Sequence, residues 1–405
     1  MTRRRLPRWA ELRPFLRVQS LGSSPSARRL AGAATIADLR NIARRHRPRA
    51  VFDYVDGAAE TETSLRRSRE AFGRIEFSPR VLRDVSAVDT TTIILGRRST
   101  LPLIFAPTGF TRLMHQEGEP AVARVAARLG IPYVLSTMGT TSPEDVAAAT
   151  PNGANWFQLY LWRDRDASVA LVERARAAGF GALMLTVDTP VAGARLRDSR
   201  NGFSIPPALT LKTLADITLH PGWWFDVLST EPLRFASLDA WQGTVAELID
   251  QMFDPALNLK DLAWLRGIWP APLIVKGIQT VEDAKAVVEV GVDAIVVSNH
   301  GGRQLDRSPV PLEQLPAILE AVDGRAEVYL DGGIMNGGDI VAAVGMGADA
   351  CLVGRAYLYG LMAGGEAGVQ RAAELIERDI VRTMQLLGVR DLAGLRDGRV
   401  TLRDH

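Results

Sequence analysis

Cysteine is almost absent from this sequence. Cys351 is the only one among 405 residues, which excludes a disulfide within one chain and a metal site built from several thiolates of one chain. No stretch approaches the roughly 18 consecutive apolar residues of a membrane-spanning helix, and the first residues lack the apolar core of a secretory signal. These absences predict a cytoplasmic protein, with peripheral contact at the inner face of the cell membrane as a second expectation.

An excess of one charge sign is also lacking. Lys and Arg total 48 against 46 Asp and Glu, a net charge of +2, which argues against nucleic acid or another polyanion as a partner. Basic residues are concentrated only in residues 1–34. This segment is predicted to be a flexible tail, and the alternatives are an organellar transit peptide or a contact with anionic lipid.

Apolar residues, by contrast, make up 47% of the chain, which suffices for a large core. After Leu101 eight short apolar runs each end in a small or polar cluster, and amphipathic segments lie between them. Alternating strand and helix signals of this kind predict an α/β protein folded as one (β/α)8 barrel. Its strands are expected near residues 101–107, 133–137, 156–160, 182–188, 272–277, 294–299, 327–333 and 351–355.

The rest of the chain is arranged around this barrel, which is assigned to residues 101–395. Residues 35–100 are predicted to form a helical preface that begins at Thr35, a candidate N-cap with Asp38 three residues on. Residues 396–405 are assigned to a C-terminal tail.

The connection after the fourth strand, about residues 196–262, is far longer than usual. Its middle contains Trp223, Trp224 and Phe225 with few charges. We expect either a helical excursion packed on the barrel or a surface that meets a membrane interface or a second subunit.

The loop after the sixth predicted strand carries the clearest chemistry. The segment SNHGGRQLD (298–306) follows the apolar run AIVV, so a buried strand delivers it to the face where barrel enzymes keep their catalytic groups. His300 can exchange a proton near neutral pH, and Arg303 can bind a carboxylate through two parallel hydrogen bonds. Asp188, at the end of the fourth strand, is placed to orient the imidazole, and Arg195 offers a second guanidinium.

Polar groups also stand at the other predicted strand ends. Hydrogen-bonding side chains with one lysine suit a flat heteroaromatic ligand across the barrel mouth, and flavin mononucleotide (FMN) fits that description. Glycines after the last two strands resemble a phosphate cradle. The lysine needs an anionic partner, either a reduced flavin ring or a structural salt bridge. The candidates are Ser136, Gln158, Thr186, Lys276 and Ser298, with Asp331, Gly332, Gly333, Gly354 and Arg355 at the phosphate.

Taken in order, the segments APTG, LST, FQLY, LTVDTP, VKGI, SNHGGRQLD, DGGI and GR resemble the FMN-dependent L-2-hydroxy-acid oxidase and dehydrogenase family over about residues 35–395. Quinone-linked bacterial L-lactate dehydrogenases are the most similar members, through SNHGGRQLD, PVAGARLRD and GRAYLYGLMAGGEAGV. The resemblance implies oxidation of an L-2-hydroxy acid, L-lactate favoured, with FMN as first electron acceptor and a quinone or similar carrier as the next. It also implies a homotetramer. The alternatives are an oxidase that uses oxygen and a non-redox isomerase of a phosphorylated metabolite.

The same resemblance implies roles for single residues. His300 would be the active-site base with Asp188 behind it, and Arg195 and Arg303 would hold the substrate carboxylate. Removal of a proton or a hydride from Cα requires a base there in either case. Tyr54, which periodicity alone would make a packing residue, and Tyr160 would contact the substrate. FMN would be held by the candidates named above together with Pro107, Thr108 and Gly109.

Two positions depart from the family pattern. Met335 stands where many members have an arginine two residues after the paired glycines, so one phosphate contact is either missing or supplied by another group. Met138 stands where short-chain glycolate oxidases have a tryptophan, which disfavours glycolate as the substrate.

Overall fold

The computed structural model describes residues 5, 8–12, 24–201, 216–236 and 252–404. Eight parallel strands close into a barrel in which each strand pairs with the next and the last returns to the first. These strands, β1 to β8, are Leu103–Phe105, Tyr133–Ser136, Asn155–Leu159, Ala182–Thr186, Leu273–Ile278, Ala294–Ser298, Glu327–Asp331 and Ala350–Val353. The predicted (β/α)8 architecture is confirmed, and each strand lies at its predicted run.

One principal helix follows each strand. In chain order, α1 to α8 are Gly118–Leu129, Pro143–Ala149, Arg165–Ala177, Leu259–Ile268, Val281–Glu289, Pro311–Val322, Gly337–Gly345 and Arg355–Leu387. Side-chain caps explain where several begin, because an oxygen acceptor satisfies amides that the first turn leaves unpaired. The capping residues are Ser142, Asp164, Asn258, Thr280 and Asn336.

Side chains alternate along the strands between two apolar layers. In β6, Ala294 and Val296 belong to the layer inside the barrel, whereas Ile295 and Val297 pack against the helices. The same alternation, continued to the end of each strand, puts one inward-facing residue of each strand at the C-terminal mouth. These eight mouth residues are Ala106, Ser136, Gln158, Thr186, Lys276, Ser298, Asp331 and Gly354.

The preface contains the predicted helices and, unexpectedly, short strands. Thr35 caps Ile36–His46 in a capping box with Asp38, and the other helices before the barrel are Trp9–Leu12, Pro25–Gly32, Arg49–Asp56 and Thr63–Gly73. From residue 75 onward the preface is not helical. Ile75–Phe77 pairs with Val400–Leu402 of the predicted tail, and Thr92–Ile94 pairs with Arg97–Ser99. Strands of three residues are too short to produce a periodic signal.

The long connection after β4 is partly described and includes the helices Leu196–Arg200 and Pro221–Leu228. Trp223 is buried and donates its indole N–H to the carbonyl of Leu113 at 2.7 Å. Leu219, Phe225 and Leu228 are exposed. The helix therefore packs on the barrel through one side and presents an apolar surface on the other.

Parts of two predictions concern residues that the structure does not describe. Half of residues 1–34, the segment predicted to be a flexible tail, lies outside the described residues, as do residues 202–215 and 237–251 of the long connection. Within the described ranges, no helix combines the length and apolar character needed to cross a bilayer.

Gly360 and Gly368 permit a close backbone approach between two parts of α8. The helix is interrupted at Gly364 and Gly365, where φ is −176° and 60°. A Cβ added to Gly368 would lie 1.9 Å from the carbonyl oxygen of Gly360. The two parts of α8 can pack in this way only if that side chain is a hydrogen atom.

We therefore expect Gly368→Ala to destabilise the protein by about 1–3 kcal/mol, the usual cost of overpacking. Gly267→Ala is the matched control, because Gly267 is an exposed helical glycine with open space around its Cβ position and alanine there should stabilise α4 by about 0.5–1 kcal/mol. Urea unfolding of both variants measures the difference. Equal stability of the two variants would contradict the close approach.

Candidate active site

A cavity of about 220 Å³ opens at the C-terminal mouth of the barrel. All the mouth residues except Ser298 line it. The remaining lining comes from the loops that follow the strands and from the preface helix Arg49–Asp56. Because inward positions recur every second residue, the strand sequences themselves deliver this polar set to one place.

His300 and Asp188 meet at this mouth. The imidazole Nδ1 lies 3.0 Å from Asp188 Oδ1, and the carboxylate is almost fully buried. Since an ionised carboxylate only accepts hydrogen bonds, Nδ1 carries the shared proton and Nε2 keeps its lone pair. The His300 backbone has φ 57°, in the left-handed region that non-glycine residues rarely adopt, and the following Gly301 has φ 63°. This strained turn directs the imidazole toward the cavity.

Burial of His300 favours its neutral form. Burial lowers the pKa of His300 below its ordinary value, Asp188 opposes that change, and Lys276 reinforces it. Burial alone would raise the pKa of Asp188, but His300 and Lys276 outweigh it and the net change is downward. A neutral imidazole beside an ionised carboxylate is the state that a general base requires.

Lys276 is buried and has a structural partner. Its Nζ lies 3.1 Å from Asp331 Oδ2 and donates to Ser298 Oγ at 3.1 Å. Ser298 in turn donates its hydroxyl to Asp331 at 2.6 Å. Asp331 and Asp188 raise the pKa of Lys276 against the effect of burial. The structural salt bridge expected for Lys276 as one of two alternatives is thus present. Ser298 lies behind the cavity wall and not on its surface.

Two arginines stand above one tyrosine ring in the cavity. The guanidinium carbons of Arg303 and Arg195 lie 5.0 Å and 5.8 Å from the ring centroid of Tyr54. Burial and then the neighbouring Arg195 lower the pKa of Arg303 to about 10. An anion between the two guanidiniums would relieve this repulsion, and a carboxylate matches their geometry. Burial raises the pKa of Tyr160, which lines the same cavity, so its hydroxyl stays protonated and can donate a hydrogen bond.

Backbone carbonyls of the preface accept hydrogen bonds from two arginines of the cavity, Arg303 and Arg355. Arg303 Nη1 donates to the carbonyls of Tyr54 and Gly57 at 2.6 Å and 3.2 Å. Arg355 donates to those of Val55, Gly301 and Gly57 at 2.9, 2.8 and 2.7 Å. Arg355, which the sequence predicts as a ligand of the phosphate, therefore also joins the preface to the barrel mouth.

The remaining geometry fits FMN. Gln158 Nε2 and Thr186 Oγ1 are buried and find no hydrogen-bond partner in the described parts of the chain, although both residues line the cavity. Such atoms match the edge of a flat heteroaromatic ring. The N-terminus of α8 has no side-chain cap and reaches the cavity at Gly354 and Arg355, as an anion-binding helix terminus does.

The structure therefore brings together nearly all the predicted site residues. The cavity is lined by Tyr54, Pro107, Thr108, Gly109, Ser136, Gln158, Tyr160, Thr186, Arg195, Lys276, His300, Arg303, Asp331, Gly332, Gly333, Gly354 and Arg355. Met138 and Met335, the two departures from the family pattern, line it as well.

Sequence reasoning missed two further residues. Phe253, from the long connection, packs edge-on against Tyr160 with ring centroids 5.4 Å apart, and no local pattern announces it. Gln304 donates to the carbonyls of Asp188 and Val191 at 3.2 and 2.9 Å, which joins the loops after β4 and β6. Its place inside SNHGGRQLD was the available signal.

Known proteins similar to this chain share its length and fold. A family model described as FMN-dependent dehydrogenase matches residues 43–402. A Mycobacterium tuberculosis protein, provisionally named an L-lactate dehydrogenase, is 58% identical over 398 residues, 98% of this chain and 96% of that protein. An L-lactate oxidase of Nostoc is 43% identical over 366 residues, 90% and 96% of the two chains. The crystal structure of a monotopic membrane protein, (S)-mandelate dehydrogenase, superposes with a TM-score of 0.88 at 36% identity, covering 92% of this chain and all of the other.

Replacing His300 with glutamine should leave FMN bound and slow its reduction by substrate about 100- to 10,000-fold, the usual contribution of a positioned base. Rapid-mixing absorbance of the bound flavin measures this rate. The FMN content and melting temperature serve as controls for folding. Reduction at the wild-type rate would contradict the assigned role.

Asp188→Asn should lower the maximal rate and also shift its pH dependence. Reduction requires neutral His300, so kcat/KM falls as the pH drops through the His300 pKa. Because Asp188 raises that pKa, its removal should move the acidic limb of the profile to lower pH. A limb that stays in place, or moves upward, would show that Asp188 does not act through His300.

Proposed function

The chain belongs to the FMN-dependent dehydrogenase family, and from this premise we propose that it oxidises an L-2-hydroxy acid, with L-lactate preferred, to the 2-keto acid. The observation that carries the proposal is the meeting of His300 with the paired guanidiniums of Arg195 and Arg303 in one cavity. In a 2-hydroxy acid the carboxylate is attached to Cα, which is the carbon that is oxidised. A base and an anion clamp side by side suit that arrangement.

In the proposed reaction each residue has a distinct task. Arg195 and Arg303 bind the carboxylate, while the hydroxyl of Tyr160 can donate a hydrogen bond to the substrate. His300 Nε2 takes a proton from the substrate, and Asp188 stabilises the imidazolium that results. FMN, when bound, accepts the two electrons. Pro107, Thr108, Gly109 and the mouth residues other than Ser298 would hold it, with Gly332, Gly333 and the N-terminus of α8 at its phosphate.

L-lactate is preferred for two reasons. The relatives from Mycobacterium tuberculosis and Nostoc carry L-lactate in their names. In addition, Met138, Tyr160 and Phe253 line the cavity, and we propose that these bulky side chains surround the substituent on Cα. This favours a methyl group over a larger substituent. The non-redox isomerase considered from the sequence does not fit a family whose members depend on FMN.

A quinone is the proposed second electron acceptor. The apolar side chains exposed along residues 219–228 suit peripheral contact with a membrane, where quinones reside. The similar (S)-mandelate dehydrogenase is itself described as a monotopic membrane protein. Oxygen is the alternative acceptor, favoured by the similarity to the Nostoc oxidase. A cytoplasmic homotetramer that contacts the inner face of the membrane is the corresponding proposal for location and assembly.

The FMN-loaded protein should be yellow and should bleach under anaerobic conditions when L-lactate is added. D-lactate should leave the colour unchanged, and L-lactamide, which lacks the carboxylate, should reduce the flavin far more slowly than L-lactate. Glycolate, L-mandelate and longer L-2-hydroxy acids in the same assay give the order of preference. A correctly folded, FMN-loaded protein that no 2-hydroxy acid bleaches would overturn the proposal.

A further inference from the structure

A second cavity, of about 330 Å³, lies away from the active site between the preface and the helix Pro221–Leu228. Among the described residues, none lines both this cavity and the cavity at the barrel mouth. Cations predominate in its wall, where Asp226 is the one acidic residue among the described lining. The basic and imidazole side chains are Arg29, Arg45, Arg47, His46, His115 and His220.

Arg47 is the unusual member of this set. Its relative exposure is only 7%, and its Nε donates to the carbonyl of Met362 at 2.7 Å. Its two terminal nitrogens have no hydrogen-bond partner within the described part of the chain. Arginine is rarely buried with donors unpaired because its desolvation is costly, and Asp226 in the same wall acts on Arg47 through its charge without a hydrogen bond to it. A guanidinium held in a cavity with its terminal donors unused is prepared for an anion.

Other groups in the wall add donors. The N-terminus of the eight-residue helix Pro221–Leu228 lines the cavity and has no side-chain cap. Pro221 has no N–H, and the amides of Trp223 and Trp224 donate to the His220 carbonyl at 3.0 and 3.3 Å, which leaves the amide of Gly222 as the first-turn donor for an anion. His115 Nδ1 accepts the amide proton of Glu117 at 3.3 Å, which leaves the proton of the neutral ring on Nε2. The N-terminus of this helix is therefore a feature, independent of Arg47, that favours negative charge in the cavity.

The surface next to the cavity is apolar. Leu219 lines the cavity and is 77% exposed, and Phe225 and Leu228 on the adjoining helix are 63% and 76% exposed. Apolar side chains beside a basic pocket match the two parts of a phospholipid, whose acyl chains and anionic headgroup meet at the membrane interface. A free phosphate would use the pocket but not the apolar neighbours.

We propose that this cavity binds the phosphate of an anionic phospholipid while the apolar side chains of residues 219–228 enter the interface. This proposal rests on the membrane contact that is part of the proposed function, and it specifies the class of lipid that the protein binds there. It would hold the FMN-dependent protein at the membrane in a fixed orientation.

Vesicle sedimentation with the FMN-loaded protein tests the site. Vesicles of phosphatidylcholine alone are compared with vesicles that contain phosphatidylglycerol, at one ionic strength. The protein should partition preferentially onto the anionic vesicles. Arg45→Gln and Arg29→Gln should each weaken that preference about fivefold, the usual effect of one arginine near an anionic surface. Arg47→Gln should weaken it about tenfold or more, because the buried guanidinium makes charge-assisted hydrogen bonds.

Arg44→Gln and Arg28→Gln are the matched controls. Both residues are exposed neighbours on the same helices, and neither lines the cavity. They should retain the wild-type partition. Equal losses for Arg44→Gln and Arg45→Gln would show a diffuse surface charge and would overturn the site. The site is equally contradicted if Arg47→Gln, with unchanged melting temperature and flavin spectrum, binds anionic vesicles as the wild type does.

Two further outcomes separate this site from the proposals it rests on. Binding of inorganic phosphate with no preference for anionic vesicles would assign the cavity to a free anion and overturn the lipid assignment. Absence of binding to any vesicle would overturn the membrane contact as a whole. Bleaching by L-lactate in the same preparation reports on the enzymatic proposal independently of both.

Discussion

The buried ion pair between Lys276 and Asp331 joins β5 to β7, with the Ser298 hydroxyl of β6 between them. Burial of one of these charges without the other would leave an uncompensated ion, at a cost of about 3–5 kcal/mol. The pair therefore fixes the relative position of three adjacent strand ends. The positive charge of Lys276 also depresses the pKa of both His300 and Asp188, so one structural interaction supports the packing of the mouth and the neutral state of the proposed base, His300.

The loop after β6 connects this mouth to the preface. Gly302 accepts the amide of Ala59 at 2.9 Å, and Asp306 accepts the Thr61 hydroxyl at 2.6 Å and the Ser64 amide at 2.8 Å. These bonds hold the pKa of Asp306 well below its ordinary range against the effect of burial. A segment of nine residues thus contains the proposed base and a proposed anion ligand and also anchors the helix Thr63–Gly73.

The barrel was predictable from the sequence because each strand carries its own apolar run and ends in a polar cluster. His300 and Asp188 were predictable as a pair for the same reason, since both follow strand ends on one face. The partners of Arg355 were not, because they are backbone carbonyls, which have no residue type to recognise. Ser298 was correctly placed at the mouth, but periodicity does not tell whether neighbouring side chains cover a hydroxyl. Phe253 enters the cavity from a connection that has no repeating pattern.

The carbonyls of Val55 and Gly57 bind the side chain of Arg355, so residues from opposite ends of the chain complete one wall of the cavity. A chain under synthesis reaches Arg355 only after all eight strands have been synthesised. Until then the preface lacks the guanidinium that fastens it, and the pocket stays open on one side. Cofactor retention should therefore be acquired late and all at once, as a property of the finished polypeptide and not of any growing fragment.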